Sequence, residues 1–139
     1  LKDPSSSVTL GEELTLAQRY LAIEQVRFGE RLRVQWELDP RADRAQLPPL
    51  ILQPLVENAV CHGVEPSPVG ADIKISTRCK GTVVVIKVTN SVPAGQGARG
   101  HGLALNNVQE RLALLHDVQG QFKSGLIDGV YQVRMEVPL

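Results

Sequence analysis

The order of apolar and polar positions divides the chain into elements before any motif is considered. In TLGEELTLAQRYLAIEQVRFGERL, which begins at Thr9, the residues Leu14, Ala17, Leu21 and Phe28 fall on three- and four-residue steps. Leu16, Tyr20 and Ile23 lie beside them. This period predicts an amphipathic helix with a wide apolar face. Thr9 and Glu12 stand in capping-box spacing at its start, and Gly29 ends or frays it. LRVQWEL (32–38) alternates Leu32, Val34, Trp36 and Leu38 with polar residues, the pattern of a half-buried strand. DPRADRAQ is a turn-rich loop. Pro48 and Pro49 suit the first turn of a second helix, which runs to Cys61 or His62 with Gly63 as its stop. Pro54 lies near enough to that start to cost little or to mark a bend.

The second half reads mainly as strands. ADIKISTRC and GTVVVIKVTN are joined through Lys80 and Gly81 as a tight hairpin. The second of them is almost continuously β-branched and apolar, which places it centrally in a sheet. Glycines follow at 95, 97, 100 and 102, then a helix over LALNNVQERLALLHD, then the hairpin QGQFKSG and GVYQVRMEVPL. The order is helix, strand, helix, two strands, glycine loop, helix, two strands. Hairpins with helices packed on one side indicate an α+β two-layer sandwich. A doubly wound parallel sheet would need a helix between most strands.

Composition narrows the function classes. A chain of 139 residues fits one domain with its own core. Its formal net charge of zero argues against a nucleic-acid binder, and its few aromatics against a base-stacking surface. No apolar stretch approaches the roughly 20 residues that cross a bilayer. LKDPSSS lacks the regions of a signal peptide, and the absence of an initiator Met points to a piece of something larger. Cys61 and Cys79 read as ordinary reduced thiols, and His62, His101 and His116 are not spaced as zinc ligands.

Two stretches hold the candidate chemistry. In the first, LILQPLVENAVCHG, an adjacent carboxylate and carboxamide, Glu57 and Asn58, interrupt an apolar helix. In the second, the glycine loop runs into a helix N-terminus, where free N–H groups and the helix dipole favour anions. Gly100 and Gly102 permit close approach of a phosphate there, and Arg99 and His101 offer donors. The loop lacks the Gly-Lys-Ser/Thr ending of a Walker A motif, and no parallel βαβ unit surrounds it.

PPLILQPLVENAVCHG resembles the N box of the GHKL ATPase superfamily, and more narrowly that of the LytS/AlgZ-type sensor histidine kinases. The markers present are Pro49, Leu50, Leu52, Gln53, Pro54, Leu55, Val56, Glu57, Asn58, Ala59, His62 and Gly63. The stretch from Leu10 to Leu32 is similar to the segment that precedes the N box in that family. GHGLALNNVQERLALL resembles its second glycine box. The resemblance covers almost the whole chain from Thr9. It implies a Bergerat-type ATP-binding fold, a mixed sheet with helices on one face and a lid over roughly 91–102. Residues 1–31 would be a lead-in and helix, and residues 32–139 the ATP-binding catalytic domain.

By that resemblance Asn58 coordinates Mg²⁺ bridging the phosphates of ATP, for which an amide oxygen is a suitable hard ligand. Glu57 points about 100° away on a helix, and either a catalytic role or a solvent-facing one is open to it. His62, four residues on, shares the face of Asn58 and could reach phosphate or ribose. Gly100, His101, Gly102, Leu103, Asn106 and Arg111 complete the expected nucleotide contacts.

One departure stands out. The family's Asp-x-Gly-x-Gly, whose carboxylate accepts from the adenine amino group, is replaced by VTNSVPAG, with Asn90 at the Asp position. Asn still offers a carbonyl acceptor, but the charge-assisted contribution is lost.

The expected function is the catalytic domain of a two-component histidine kinase. It transfers the γ-phosphoryl of Mg·ATP to a histidine on upstream phosphoacceptor helices, for relay to a response regulator. The acceptor histidine of the family lies upstream of this sequence, so the chain alone should not autophosphorylate. The parent kinase is expected to be a homodimer at the bacterial inner membrane, with this domain in the cytoplasm and no direct contact with nucleic acid. The alternative is a pseudokinase or nucleotide-sensing module with weakened adenine recognition. A chaperone- or gyrase-type ATPase is disfavoured because Pro54 stands where those enzymes carry a Glu.

Overall fold

In the structure, a computed structural model, residues 7–92 and 121–139 are described. Strand β1 (Val8–Thr9) leads into helix α1 (Leu10–Phe28). The predicted capping box is formed: Thr9 Oγ1 accepts from the Glu12 amide (3.2 Å), and the Glu12 carboxylate accepts from the Thr9 amide (2.9 Å). Gly29, at φ 58°, ends the helix. A single 3₁₀ turn, Gly29–Arg31, then turns the chain into β2 (Leu32–Glu37).

The loop after β2 is more ordered than its composition indicates. Asp39 accepts from the Arg41 amide and starts a 3₁₀ turn over Pro40–Ala42. Strand β3 (Gln46–Leu47) pairs antiparallel with β1. Two residues are too few to show a hydropathic period, so this ladder is invisible in the pattern.

Helix α2 (Leu52–Ala59) begins later than Pro48 or Pro49, where the sequence placed its first turn. The reason is Leu50, whose φ of 58° is left-handed and cannot belong to a right-handed helix. Pro54 is then the third helical residue, where a missing N–H leaves no bond unmade. Nor does Gly63 stop the helix. The chain widens into a π turn over Val60–Val64, a feature that clusters at functional sites.

Strands β4 (Ala71–Lys80), β5 (Val83–Ser91), β6 (Gln121–Ile127) and β7 (Val130–Pro138) join β2 in one mixed sheet of order β2-β4-β5-β7-β6. Only the β2–β4 pair is parallel, and the connection between them contains α2. Strand β5 is third of five, the central place that its β-branched run implies. Lys80 pairs with Val83, so the hairpin turns on Gly81-Thr82, one residue later than expected.

One face of the sheet presents Ile73, Ile75, Ile86, Val88, Val133 and Met135 to the helices. They share a single core with Leu10, Leu14 and Leu21 of α1 and Leu52, Leu55 and Val56 of α2. The other face is polar. Lys74, Ser76, Lys87, Thr89 and Arg134 line an open groove of about 510 Å³ there. The architecture is therefore the α+β two-layer arrangement expected.

Candidate functional site

The site is built on α2, and α2 is held by a side chain from another helix. Ile51, its N-cap residue, makes no side-chain capping bond. The Glu13 carboxylate of α1 serves instead, accepting from the amides of Leu50 (3.0 Å), Ile51 (2.8 Å) and Leu52 (2.9 Å). Glu13 is buried. Its negative charge sits where the helix dipole is positive. These bonds also secure the left-handed Leu50, a conformation that costs on the order of 1–3 kcal/mol.

The far end is held in a complementary way. The Arg31 guanidinium donates to the carbonyls of Val64 (2.8 Å), Glu65 (3.2 Å) and Ser67 (2.8 and 3.1 Å). Gly70, at φ 81°, passes against the Arg31 backbone so closely that a β-carbon would stand 1.8 Å from the Arg31 carbonyl oxygen.

Between these ends lies Asn58, only 7% exposed, and its amide forms no hydrogen bond among the described residues. An unpartnered buried amide costs free energy unless something outside that set satisfies it. A hard cation with oxygen ligands fits that need. Among the described residues no group of three or more His, Cys, Asp or Glu side chains could hold a metal ion. Mg²⁺ takes one or two protein ligands and completes its shell with water and phosphate oxygens, so the amide oxygen of Asn58 is a chemically adequate donor for it.

Glu57 faces elsewhere. It is exposed, accepts from Gln53 Nε2 (3.0 Å), and lies on the side of Tyr20. The Tyr20 hydroxyl donates to Glu24 (3.3 Å). Burial first, then Glu24, with Glu57 and Glu65 adding to the field, push its pKa above the usual phenol value. His62 is half-buried on the π turn.

Asn90 is placed at the end of β5, paired across the sheet with Ile73 and Tyr131 and only 2% exposed. Its amide nitrogen donates to the Ser91 carbonyl (3.1 Å), and no described residue donates to its oxygen. Gly63 lies directly upon it: a β-carbon at Gly63 would be 2.9 Å from Asn90 Nδ2 and 3.3 Å from Ala71 Cβ. The carboxyl-terminal end of the N-box segment and the end of β5 are thus joined at a glycine.

The remaining expected contacts, Gly100, His101, Gly102, Leu103, Asn106 and Arg111, lie outside the described residues, as do the glycine loop beyond Val92 and the helix after it. Neither Glu13 nor Arg31 belongs to a motif that the sequence displays. Glu13 left one signal, a carboxylate three residues from Leu10 and four from Ala17 on the apolar stripe of α1. Arg31 left none. The open groove on the polar sheet face shares none of these residues.

No protein-family model matches the chain. The sensor histidine kinase BtsS of Escherichia coli (strain K12) is 35% identical over 113 residues, covering 81% of this chain and 20% of BtsS. The sensor protein LytS of Enterococcus faecalis is 25% identical over 151 residues, covering 96% of this chain and 25% of LytS. The chain therefore spans a fifth to a quarter of the length of these relatives. Among solved structures, the catalytic domain of histidine kinase ThkA matches with a TM-score of 0.71 at 18% identity, over 95% of this chain and 93% of that one. ThkA in complex with the response regulator TrrA matches with a TM-score of 0.65 at 15% identity, over 95% of this chain and 41% of that one. Over the part of their length that it matches, the chain is related to the sensor histidine kinases, LytS among them, and it has the fold of a histidine kinase catalytic domain.

Proposed function

We propose that this domain binds Mg·ATP between α2 and the end of β5. It then delivers the γ-phosphoryl to a histidine on the phosphoacceptor helices of a longer kinase, for relay to a response regulator. The observation that supports this most is Asn58: a buried amide with no described partner, on a helix fixed at both ends.

The roles follow from placement. Asn58 presents its amide oxygen as the protein ligand to Mg²⁺, which when bound neutralises phosphate charge and orients the transferred group. Asn90 turns its oxygen, which accepts from no described residue, to the adenine amino group, while its own NH₂ donates to the Ser91 carbonyl. His62 lies one turn beyond Asn58 and serves the phosphates or ribose. Gly100, His101, Gly102, Leu103, Asn106 and Arg111 supply the rest of the nucleotide contacts, and Glu57 acts at most through water from its exposed side. Catalysis rests on positioning and charge neutralisation rather than on a covalent step with the domain.

Residues 32–139 form the catalytic core in this reading, and residues 1–31 the lead-in, whose helix α1 packs into that core. The parent kinase is a homodimer at the bacterial inner membrane with this domain on the cytoplasmic side. No described helix is long and apolar enough to cross a membrane.

The test joins the chain to the phosphoacceptor segment of its own kinase and supplies γ-labelled ATP with Mg²⁺. Label on histidine, reduced roughly 100-fold or more in Asn58→Ala, supports the reading. Nucleotide binding without transfer favours the nucleotide-sensing alternative, for which the neutral Asn90 is the one supporting feature.

A further inference from the structure

We infer that Glu13 and Arg31 are positioning residues for the metal-nucleotide site, a pair that fixes α2, and with it Asn58, from both ends. The inference rests on the reading of Asn58 as the Mg²⁺ ligand. It adds two residues that make no contact with nucleotide and belong to the stretch before the catalytic core.

The geometry is specific. Helix α2 has eight residues, about 12 Å at 1.5 Å per residue, and supplies no capping side chain of its own. At its amino end all three bonds to Glu13 come from consecutive amides, 50 to 52, so a single carboxylate sets both the entry angle and the first turn. At its other end the Arg31 fork gathers three carbonyls of the π turn and the loop after it. Glu13 and Arg31 are the start and tail of one unit, α1 with its 3₁₀ turn. The N-box helix is held between them like a rung.

Burial of Glu13 argues that this is more than packing. A carboxylate at 2% exposure among Leu10, Leu14 and Ala17 is desolvated at a cost that an apolar side chain would not incur. What it gives in return is orientation. A metal ligand must sit within about 0.5 Å of its working position, and groups that hold such a ligand in place change metal affinity by roughly 10–100-fold. Loosening either end lets Asn58 drift, while β5 itself stays fixed by its ladders to β4 and β7.

The experiment is calorimetry of ATP binding to the full chain in excess Mg²⁺ and in chelator. The quantity read is the ratio of the two dissociation constants. It is compared in wild type, Asn58→Ala, Glu13→Gln, Arg31→Lys and Val137→Ala, well below each melting temperature. Val137 is a buried residue of β7 paired with Val84, at the opposite end of β5 from Asn90. The expected result is a Mg²⁺ enhancement reduced about tenfold in Glu13→Gln and Arg31→Lys, with little change in chelator. Val137→Ala melts earlier yet keeps the wild-type ratio. If Glu13→Gln does not fold, Arg31→Lys decides alone. Wild-type enhancement that is lost in Asn58→Ala but kept in both end variants overturns this inference and leaves the site reading standing. A wild type with no Mg²⁺-dependent binding overturns both.

Discussion

Gly63 of the N-box segment rests on Asn90 of β5, and there is no room between them for a side chain: the nearest approach of a β-carbon would be 2.9 Å. This glycine is therefore a spacer that sets how closely the π turn and the end of β5, the two sides of the proposed nucleotide site, meet. Gly63→Ala must push the π turn away from β5. The expected outcome is a loss of about 1–3 kcal/mol in stability by chemical denaturation, the usual cost of overpacking. ATP affinity should fall about tenfold or more. A variant that unfolds and binds like the wild type would show that the contact yields without consequence.

Asn90→Asp restores the carboxylate expected at the adenine position, and two opposed effects should appear. ATP affinity rises about five- to tenfold as a charge-assisted bond replaces a neutral one. The nucleotide-free chain melts a few degrees earlier, because the donor to the Ser91 carbonyl is replaced by an acceptor. Calorimetry and thermal melts read both, and no gain in affinity contradicts the role given to Asn90.

The sequence revealed those parts of the fold that have a period. Helix α1, its capping box, the five strands of the mixed sheet and the central place of β5 all follow from patterns several residues long. What stayed hidden depends on partners distant in sequence. The start of α2 is set by Glu13, 38 residues before Ile51, and the role of Gly63 by Asn90. Local rules read Pro48 and Gly63 as a start and a stop because prolines and glycines usually are. Within the site, Asn58 and Asn90 are legible through motif resemblance, and both are buried with amide oxygens to which no described residue donates. The clamps at Glu13 and Arg31 are tertiary and leave little trace in the chain.

Asp39 links the loop after β2 to the end of β4, and it should contribute to the acid limb of stability. Its carboxylate accepts from the Arg41 side chain (3.0 and 3.1 Å), the Cys79 amide (2.9 Å) and the Arg41 amide (3.0 Å). Chiefly the Arg41 side-chain bonds, then that of Cys79, hold its pKa well below the ordinary carboxylate range. A depressed folded-state pKa gives stability that is fully present above the unfolded value, about pH 4, and is lost as the pH falls below it. Melting temperature should therefore drop on acidification below about pH 4, and Asp39→Asn should flatten that drop while lowering the neutral-pH value. An unchanged acid slope in the variant counts against this assignment.

Cys61 is exposed on the π turn, yet desolvation and, secondarily, the Glu65 carboxylate push its thiol pKa up. The thiolate is the reactive form, so alkylation at pH 8 should run slower than for free cysteine. Glu65→Gln should speed it. A rate equal to or above that of free cysteine would contradict the shift.

The most direct test of the central claim observes the metal beside its ligand. The ¹⁵N-labelled chain is saturated with a non-hydrolysable Mg·ATP analogue, and a trace of Mn²⁺ is then exchanged for Mg²⁺. The side-chain amide of Asn58, assigned by its loss in Asn58→Ala, should shift on nucleotide binding and then broaden beyond detection before other side-chain amides. An Asn58 amide that stays sharp while others broaden, or that never responds to nucleotide, contradicts the placement of the metal at this helix.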